Sequence, residues 1–249
     1  MANNRFVALW GSGGSGKTTL SIKIAKELAA NNKNVLVIHC DDETPVLPLL
    51  LPVSESSQSL GDLLSMSSPT QISILQHCAI YGNSGYISLL GYQLGENAIS
   101  YPEYSKKEAI ILFNLCRRIP NIDYILVDCS NHTVDNILTV VALEAADAVI
   151  KVANTNLRST VYLESQKQLL RDEKFRYRDQ INVLNNVMPD QDTYPFRESL
   201  GGAPYVFPHC PSIEEQFHEQ KLLDSLFGKD ARRFEPIMKQ LVKEVFLDE

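Results

Sequence analysis

This sequence predicts an α/β fold with a mainly parallel central sheet and helices on both faces. Two observations carry that prediction. Short apolar runs alternate with helical patterns at spacings that require crossover connections. The first of those runs, RFVALW, leads straight into GSGGSGKT, a strand–loop–helix junction of the phosphate-binding type. The chain has 249 residues, 44% hydrophobic and 21% charged, enough to bury a sizeable core. Residues 1–249 read as a single P-loop domain.

Along the chain, RFVALW (5–10) is a buried strand, because a short apolar run ended by glycine suits a strand covered on both faces. TTLSIKIAKELAANN (18–32) places Leu20, Ile22, Ile24, Ala25, Leu28 and Ala29 at mostly helical spacing, and Asn31 and Asn32 fit its end. NVLVIHC (34–40) is a second buried strand, followed by the acidic turn DDETP. Residues 54–84 are rich in Ser and Gln around two short helical fragments, SLGDLLSM (59–66) and TQISILQHCAIY (70–81). YISLLGY (86–92) is a strand. EYSKKEAIILFNLCRRI (103–119) is a helix opened by a serine cap. DYILVDC (123–129) is a strand with an aspartate at its carboxyl end, and NILTVVALEAA (136–146) is a helix. DAVIKVAN (147–154) is a strand, RSTVYLESQKQLLRDEKF (158–175) a helix, QINVLNNV (180–187) a strand, and APYVFP (203–208) the last strand. IEEQFHEQKLLDSLF (213–227) and RRFEPIMKQLVKEVF (232–246) close the chain as helices.

Ligands of such sheets sit at the carboxyl ends of the strands. The loop 11–19, Asp41, Asp128 and Asn185 all fall there. Gly11 to Thr18 satisfy GxxxxGK[ST]. Around Gly13, Gly14, Ser15 and Gly16 the backbone can turn successive N–H groups inward onto phosphate oxygens, and the following helix adds its positive end. Lys17 is expected to reach the β- and γ-phosphates and the Thr18 hydroxyl to ligate Mg²⁺, with Thr19 near the α-phosphate. Asp128 is the candidate carboxylate on the metal side. Asp41 or Asp42 is the candidate for orienting an attacking water, and the sequence alone leaves both open.

These stretches together resemble the MinD/ParA family of P-loop ATPases over nearly the whole chain. The matching pieces are GGSGKTTLSIKIAKELA, NVLVIHCDDETP, DYILVDCSNH, AADAVIKVANTNLRSTVYLESQKQLL, INVLNNV and FPHCPSIEEQFHEQKLL, in that order. The resemblance implies ATP and Mg²⁺ as cofactors and catalytic roles for Lys17 and Asp41. It implies that Asp41 is the first-switch aspartate, with His39 replacing another aspartate of that strand end, and that Asp128 is the second-switch aspartate. It assigns Asn185 to the adenine edge, and Pro208 and Pro211 to the segment lying along the base. It also implies an ATP-dependent homodimer that recruits a protein partner to position a macromolecular assembly, as in partition, conjugation or pilus and secretion systems. Loops of this atypical kind resemble the TadZ/CpaE-like branch.

The departure is Ser12. The family's loop carries a lysine that crosses the dimer interface to the partner's nucleotide; serine is uncharged and cannot reach. A finger of that kind contributes about 10³–10⁵ in rate, so weak intrinsic hydrolysis is expected. A nucleotide-binding scaffold without hydrolysis is the alternative. A small-molecule kinase is disfavoured: RDEKFRYR (171–178) is the one stretch resembling an arginine-rich lid, and it follows a strand instead of leading a lid loop.

Composition narrows the partners further. The net charge of -7 does not indicate DNA binding, although Lys167, Arg171, Lys174, Arg176 and Arg178 form one basic run. Apolar runs such as VLPLLLPV (46–53) are too short and proline-broken to span a bilayer. The last helix has mixed charges on its polar side, which favours core packing over membrane attachment. Five scattered cysteines without a CxxC pair, and an amino terminus unlike a secretory signal, point to reduced thiols and a cytoplasmic location.

Overall fold

The computed structural model describes residues 4–51, 58–81, 86–133 and 135–248. Part of the Ser- and Gln-rich stretch at 54–84 therefore lies outside the described residues. The elements run β1 (Arg5–Gly11), α1 (Lys17–Ala30), β2 (Val35–His39), α2 (Leu47–Leu50), α3 (Leu60–Leu64), α4 (Gln71–Gln76), β3 (Ala79–Tyr81) and β4 (Ile87–Leu90). They continue with α5 (Lys106–Cys116), β5 (Tyr124–Asp128), α6 (Ile137–Ala145), β6 (Ala148–Asn154), α7 (Leu157–Leu169) and β7 (Ile181–Val187). The chain closes with α8 (Tyr194–Ser199), β8 (Tyr205–Pro208), α9 (Pro211–His218) and α10 (Gly228–Val242), the last running on as a π-type turn to Leu247.

One eight-stranded sheet has the order β3-β4-β2-β5-β1-β6-β7-β8. Every pair is parallel except β3 with β4, which is antiparallel at the edge. The period of two splits the central strand between two cores. Phe6, Ala8 and Trp10 point to the face covered by α3 to α7, while Val7 and Leu9 point to the face covered by α1, α2 and α10. Five of the seven residues in β1 are buried apolar side chains, as a central parallel strand requires.

Three sequence expectations are revised. The fragment at 70–81 stops being helical at Gln76, and its last residues form β3. The helix at 213–227 ends at His218, and α10 starts at Gly228. The helix from 158 ends at Leu169 and is followed by two 3₁₀ turns through Asp179. Phe234, Met238, Leu241, Val242, Val245 and Phe246 are buried against the α1 face, so the last helix is part of the core. Among the described residues no helix is long and apolar enough to cross a membrane.

Candidate functional site

The sheet register brings the polar residues together. His39 pairs with Asp128 across β2 and β5, Leu9 with the same Asp128 across β1 and β5, and Asn154 with Asn185 across β6 and β7. All lie at the carboxyl ends of parallel strands, next to the loop that leaves β1. A cavity of about 550 Å³ opens there. Gly14, Gly16, Lys17, Thr18, Thr19, Asp41, Asp128, Asn131, Asn185 and Pro208 line it.

The loop between β1 and α1 owes its shape to two close approaches. A Cβ on Gly11 would collide with the Val152 carbonyl, and one on Gly16 with the Asn185 amide. Gly16, at φ 88°, also opens α1 from the left-handed region that favours glycine. Among the described residues no side chain caps α1. The residues carrying its first amides line the cavity, so the helix start offers free donors and its positive end to an anion.

Lys17 is buried. Its ammonium donates to Asn131 Oδ1 at 2.6 Å and to the carbonyls of Gly11 and Ser12 at 3.2 Å each. An ammonium has three protons, and here all meet neutral oxygens. Burial holds its pKa below the ordinary lysine value, while the nearby Asp128 carboxylate pulls the other way. A desolvated cation whose partners are neutral favours an incoming anion.

Thr18 donates its hydroxyl to Asp128 Oδ2 at 2.6 Å. His39 Nδ1 lies 2.9 Å from the same oxygen. The other carboxylate oxygen, Asp128 Oδ1, is buried without a hydrogen-bond partner among the described residues. An orphaned carboxylate oxygen beside a threonine hydroxyl is a donor set that suits a hard divalent cation. Thr18 and Asp128 therefore fit Mg²⁺.

Asp41 and Asp42 face different ways. Asp41 lines the cavity, and its Oδ1 accepts the amides of Glu43 at 3.1 Å and Thr44 at 2.8 Å, fixing the turn. Asp42 turns away and accepts from Asn136 Nδ2 at 3.3 Å. Asn185 donates from Nδ2 to the Ser15 carbonyl at 2.9 Å, so it braces the loop as well as lining the cavity. The rest of the lining mixes apolar Met188, Pro208, Ile213, Phe217 and Phe234 with polar Asn186, His209, Glu214 and His218. Of the other loop residues read from sequence, Gly14 and Thr19 line the cavity; Gly13 and Ser15 do not. Pro211 opens α9 and is likewise absent from the lining.

Ser12 is buried and donates its hydroxyl to Ser159 Oγ at 2.9 Å. Ser159 lies in the first turn of α7, so Ser12 fastens the loop to its own chain. Asn154 Nδ2 adds a second tie, to the Gly14 carbonyl at 3.3 Å.

Two contacts needed the tertiary structure. Asn131, with Ser130 and His132 after β5, reads either as a γ-phosphate sensor or as a turn residue, and it supplies the shortest bond to Lys17. Its carbonyl is held by Tyr162 Oη at 2.8 Å, which only the packing of α7 arranges. His39 reads as a replaced aspartate; its contact with Asp128 needed the pairing of β2 with β5. Two of the five residues of the basic run are ion-paired: Lys167 with Glu164 at 2.5 Å, and Lys174 with Glu144 at 3.0 Å. None of residues 171–178 lines the cavity.

A family model described as an AAA domain (AAA_31) matches residues 7–182. The chain belongs to this AAA_31 family, and its fold is that of MinD and ParA ATPases. Solved structures of similar fold cover almost its full length. A ParA family ATPase from Chlorobium tepidum TLS is 16% identical with a TM-score of 0.76, covering 96% of this chain and 98% of that one. The MinC:MinD cell division protein complex of Aquifex aeolicus matches at 18% identity and a TM-score of 0.75, with 97% of each chain covered. Pyrococcus horikoshii OT3 MinD, complexed with Mg-ADP, matches at 17% and 0.72, with 99% of each chain covered. At such identities the likeness speaks for the fold. No curated protein matches this chain by sequence.

Proposed function

We propose that this MinD/ParA-type protein binds ATP with Mg²⁺ in the 550 Å³ cavity and acts as a nucleotide-dependent dimerisation switch with weak intrinsic hydrolysis. The observation that carries the reading is the buried Lys17 ammonium held on neutral oxygens beside an orphaned carboxylate oxygen of Asp128. One end of the cavity thus attracts a polyanion and its cation; the other offers both apolar surface and polar groups to a base.

Lys17 and the first amides of α1 would hold the β- and γ-phosphates, and Thr18 with Asp128 would hold Mg²⁺. The cation supplies charge neutralisation and alignment of the phosphate oxygens. The chain's own residues supply the rest. Asp41, fixed by two backbone amides, orients a water on the cavity side. Asn185 and Pro208 flank the base.

Weak hydrolysis follows from Ser12. Its hydroxyl is committed to Ser159 within the same chain, so this position sends no charge across to a second copy. The dimer then senses nucleotide and recruits a protein partner to an assembly, with slow turnover as a timer. The Aquifex MinD in complex with MinC is a precedent for a protein partner on this fold. One set of measurements tests the proposal. Calorimetry is expected to detect ATP-Mg²⁺ binding, sizing to detect a dimer with ATP but not ADP, and steady-state assays a slow release of phosphate. Rapid turnover of the isolated protein would contradict the role given to Ser12. Absence of nucleotide binding would remove the proposal altogether.

A further inference from the structure

A second cavity, of about 310 Å³, has Asp42 in its lining, one residue along from the Asp41 that lines the first. Its lining combines three tyrosines, Tyr92, Tyr101 and Tyr104, with three carboxylates, Asp42, Glu103 and Asp135. No lysine or arginine lines it. Among the described residues, none of these carboxylates has an ion-pair partner. Among the described residues, the one side-chain donor to Asp42 is the Asn136 amide at 3.3 Å, and burial pushes its carboxyl above the ordinary aspartate value.

The aromatic walls are set in place. Tyr92 is buried and shares a hydrogen bond with Tyr104. Tyr101 donates its hydroxyl to Glu96 at 2.5 Å and lies 2.8 Å from Ser59 Oγ. Fixed aromatic rings beside unpaired carboxylates attract an organic cation by ring quadrupole and charge together. Little ordering is then left to oppose binding. The segment that brings Asn97 and Ala98 to the lining also carries Leu94 and Ile99, exposed to 70% and 92%.

We propose that this cavity is a docking pocket for a lysine or arginine side chain of a protein partner whose neighbouring residues are apolar. The charged head sits among Asp42, Glu103 and Asp135 against the tyrosines. The adjoining apolar residues cover Leu94 and Ile99, which a free small cation would leave in water. Asn136 Nδ2 also bonds the Cys40 carbonyl at 3.0 Å, so a cation drawn to Asp42 bears on the turn carrying Asp41. That link to the first cavity rests on the proposed function above; the cation pocket does not.

The test uses the full, nucleotide-free chain and a fluorescent peptide of sequence Ser-Gly-Leu-Arg-Ile-Gly. Its twin carries citrulline, which keeps the shape and loses the charge. The arginine peptide is expected to bind at least about tenfold more tightly, with the gap closing at 0.5 M salt, where a Debye length of only a few ångströms remains (~4 Å). The double variant Glu103→Gln with Asp135→Asn is expected to lose about tenfold in affinity for the arginine peptide and to melt at the same temperature as the parent. Equal affinity for the two peptides, or none, overturns the pocket, whether or not the variant folds. Undiminished binding by a folded double variant overturns it too. Spermidine displacing the peptide as well as the unlabelled peptide does would overturn the assignment to a protein partner.

Discussion

The two ends of the large cavity are built differently. At the proposed phosphate end, Lys17 bonds Asn131, and Thr18 and His39 share one oxygen of Asp128, at 2.6 to 2.9 Å. At the proposed base end, Met188, Ile213 and Phe217 offer apolar surface beside His209, which is bonded to Asn186 at 2.8 Å. That end is braced from behind by Lys23 of α1, which donates to Gln216 Oε1 at 2.6 Å and the Leu222 carbonyl at 2.7 Å. The difference teaches where binding energy and selectivity should come from. Charge-assisted bonds in a dry site are strong and intolerant of loss. Apolar contact is graded and forgiving.

Four substitutions break or sharpen that contrast. Lys17→Ala removes the cation on which the phosphate end is centred; calorimetry is expected to show about 100-fold weaker ATP-Mg²⁺ binding, or none. Asp128→Asn keeps the shape and removes the charge, so the Mg²⁺ concentration needed for half-maximal nucleotide binding should rise about 10- to 100-fold. Asn185→Ala acts where the ends meet. It frees the Ser15 carbonyl and should weaken nucleotide binding about fivefold, roughly the contribution of one neutral hydrogen bond.

The smallest expected effect concerns pH and the brace. Burial pulls the Lys23 pKa from its ordinary value down to about 7. Between that value and the unfolded lysine value, the unfolded chain binds the extra proton, so folding stability rises with pH across that window. The burial cost of the ammonium is fully present below it. Urea unfolding at pH 7 and about 7.5, where thiols with an ordinary value near 8.5 are still mostly protonated in the unfolded chain, is expected to show a positive slope. Lys23→Met should flatten the slope. A steeper rise in the variant would reverse the argument.

The central strands were legible because parallel strands covered on both faces must be apolar throughout; RFVALW, NVLVIHC and DYILVDC have no other stable place. Edge strand β3 was not, because three residues, AIY, with Ile80 64% exposed, carry no periodic signal and adjoin a true helix. The helix α8 is six residues without a buried side chain, so no apolar stripe announces it. In the site, the motif residues Gly14, Gly16, Lys17 and Thr18 follow from local backbone demands and sit together as the loop implies. Asn131 follows from no local demand. Its place depends on Tyr162, thirty-one positions away.

By itself, the sequence determined the order of the central strands and the longer helices and the phosphate-type loop, because glycine freedom and apolar periodicity act over a few neighbouring residues. It also determined that no lysine stands at position 12. Only the tertiary structure decided that Asp41 lines the cavity while Asp42 turns to Asn136, that Ser12 is tied to Ser159, and that His39 meets Asp128. Those outcomes join residues far apart in the chain. Their geometry is set by sheet register and helix docking, which no short window of sequence contains.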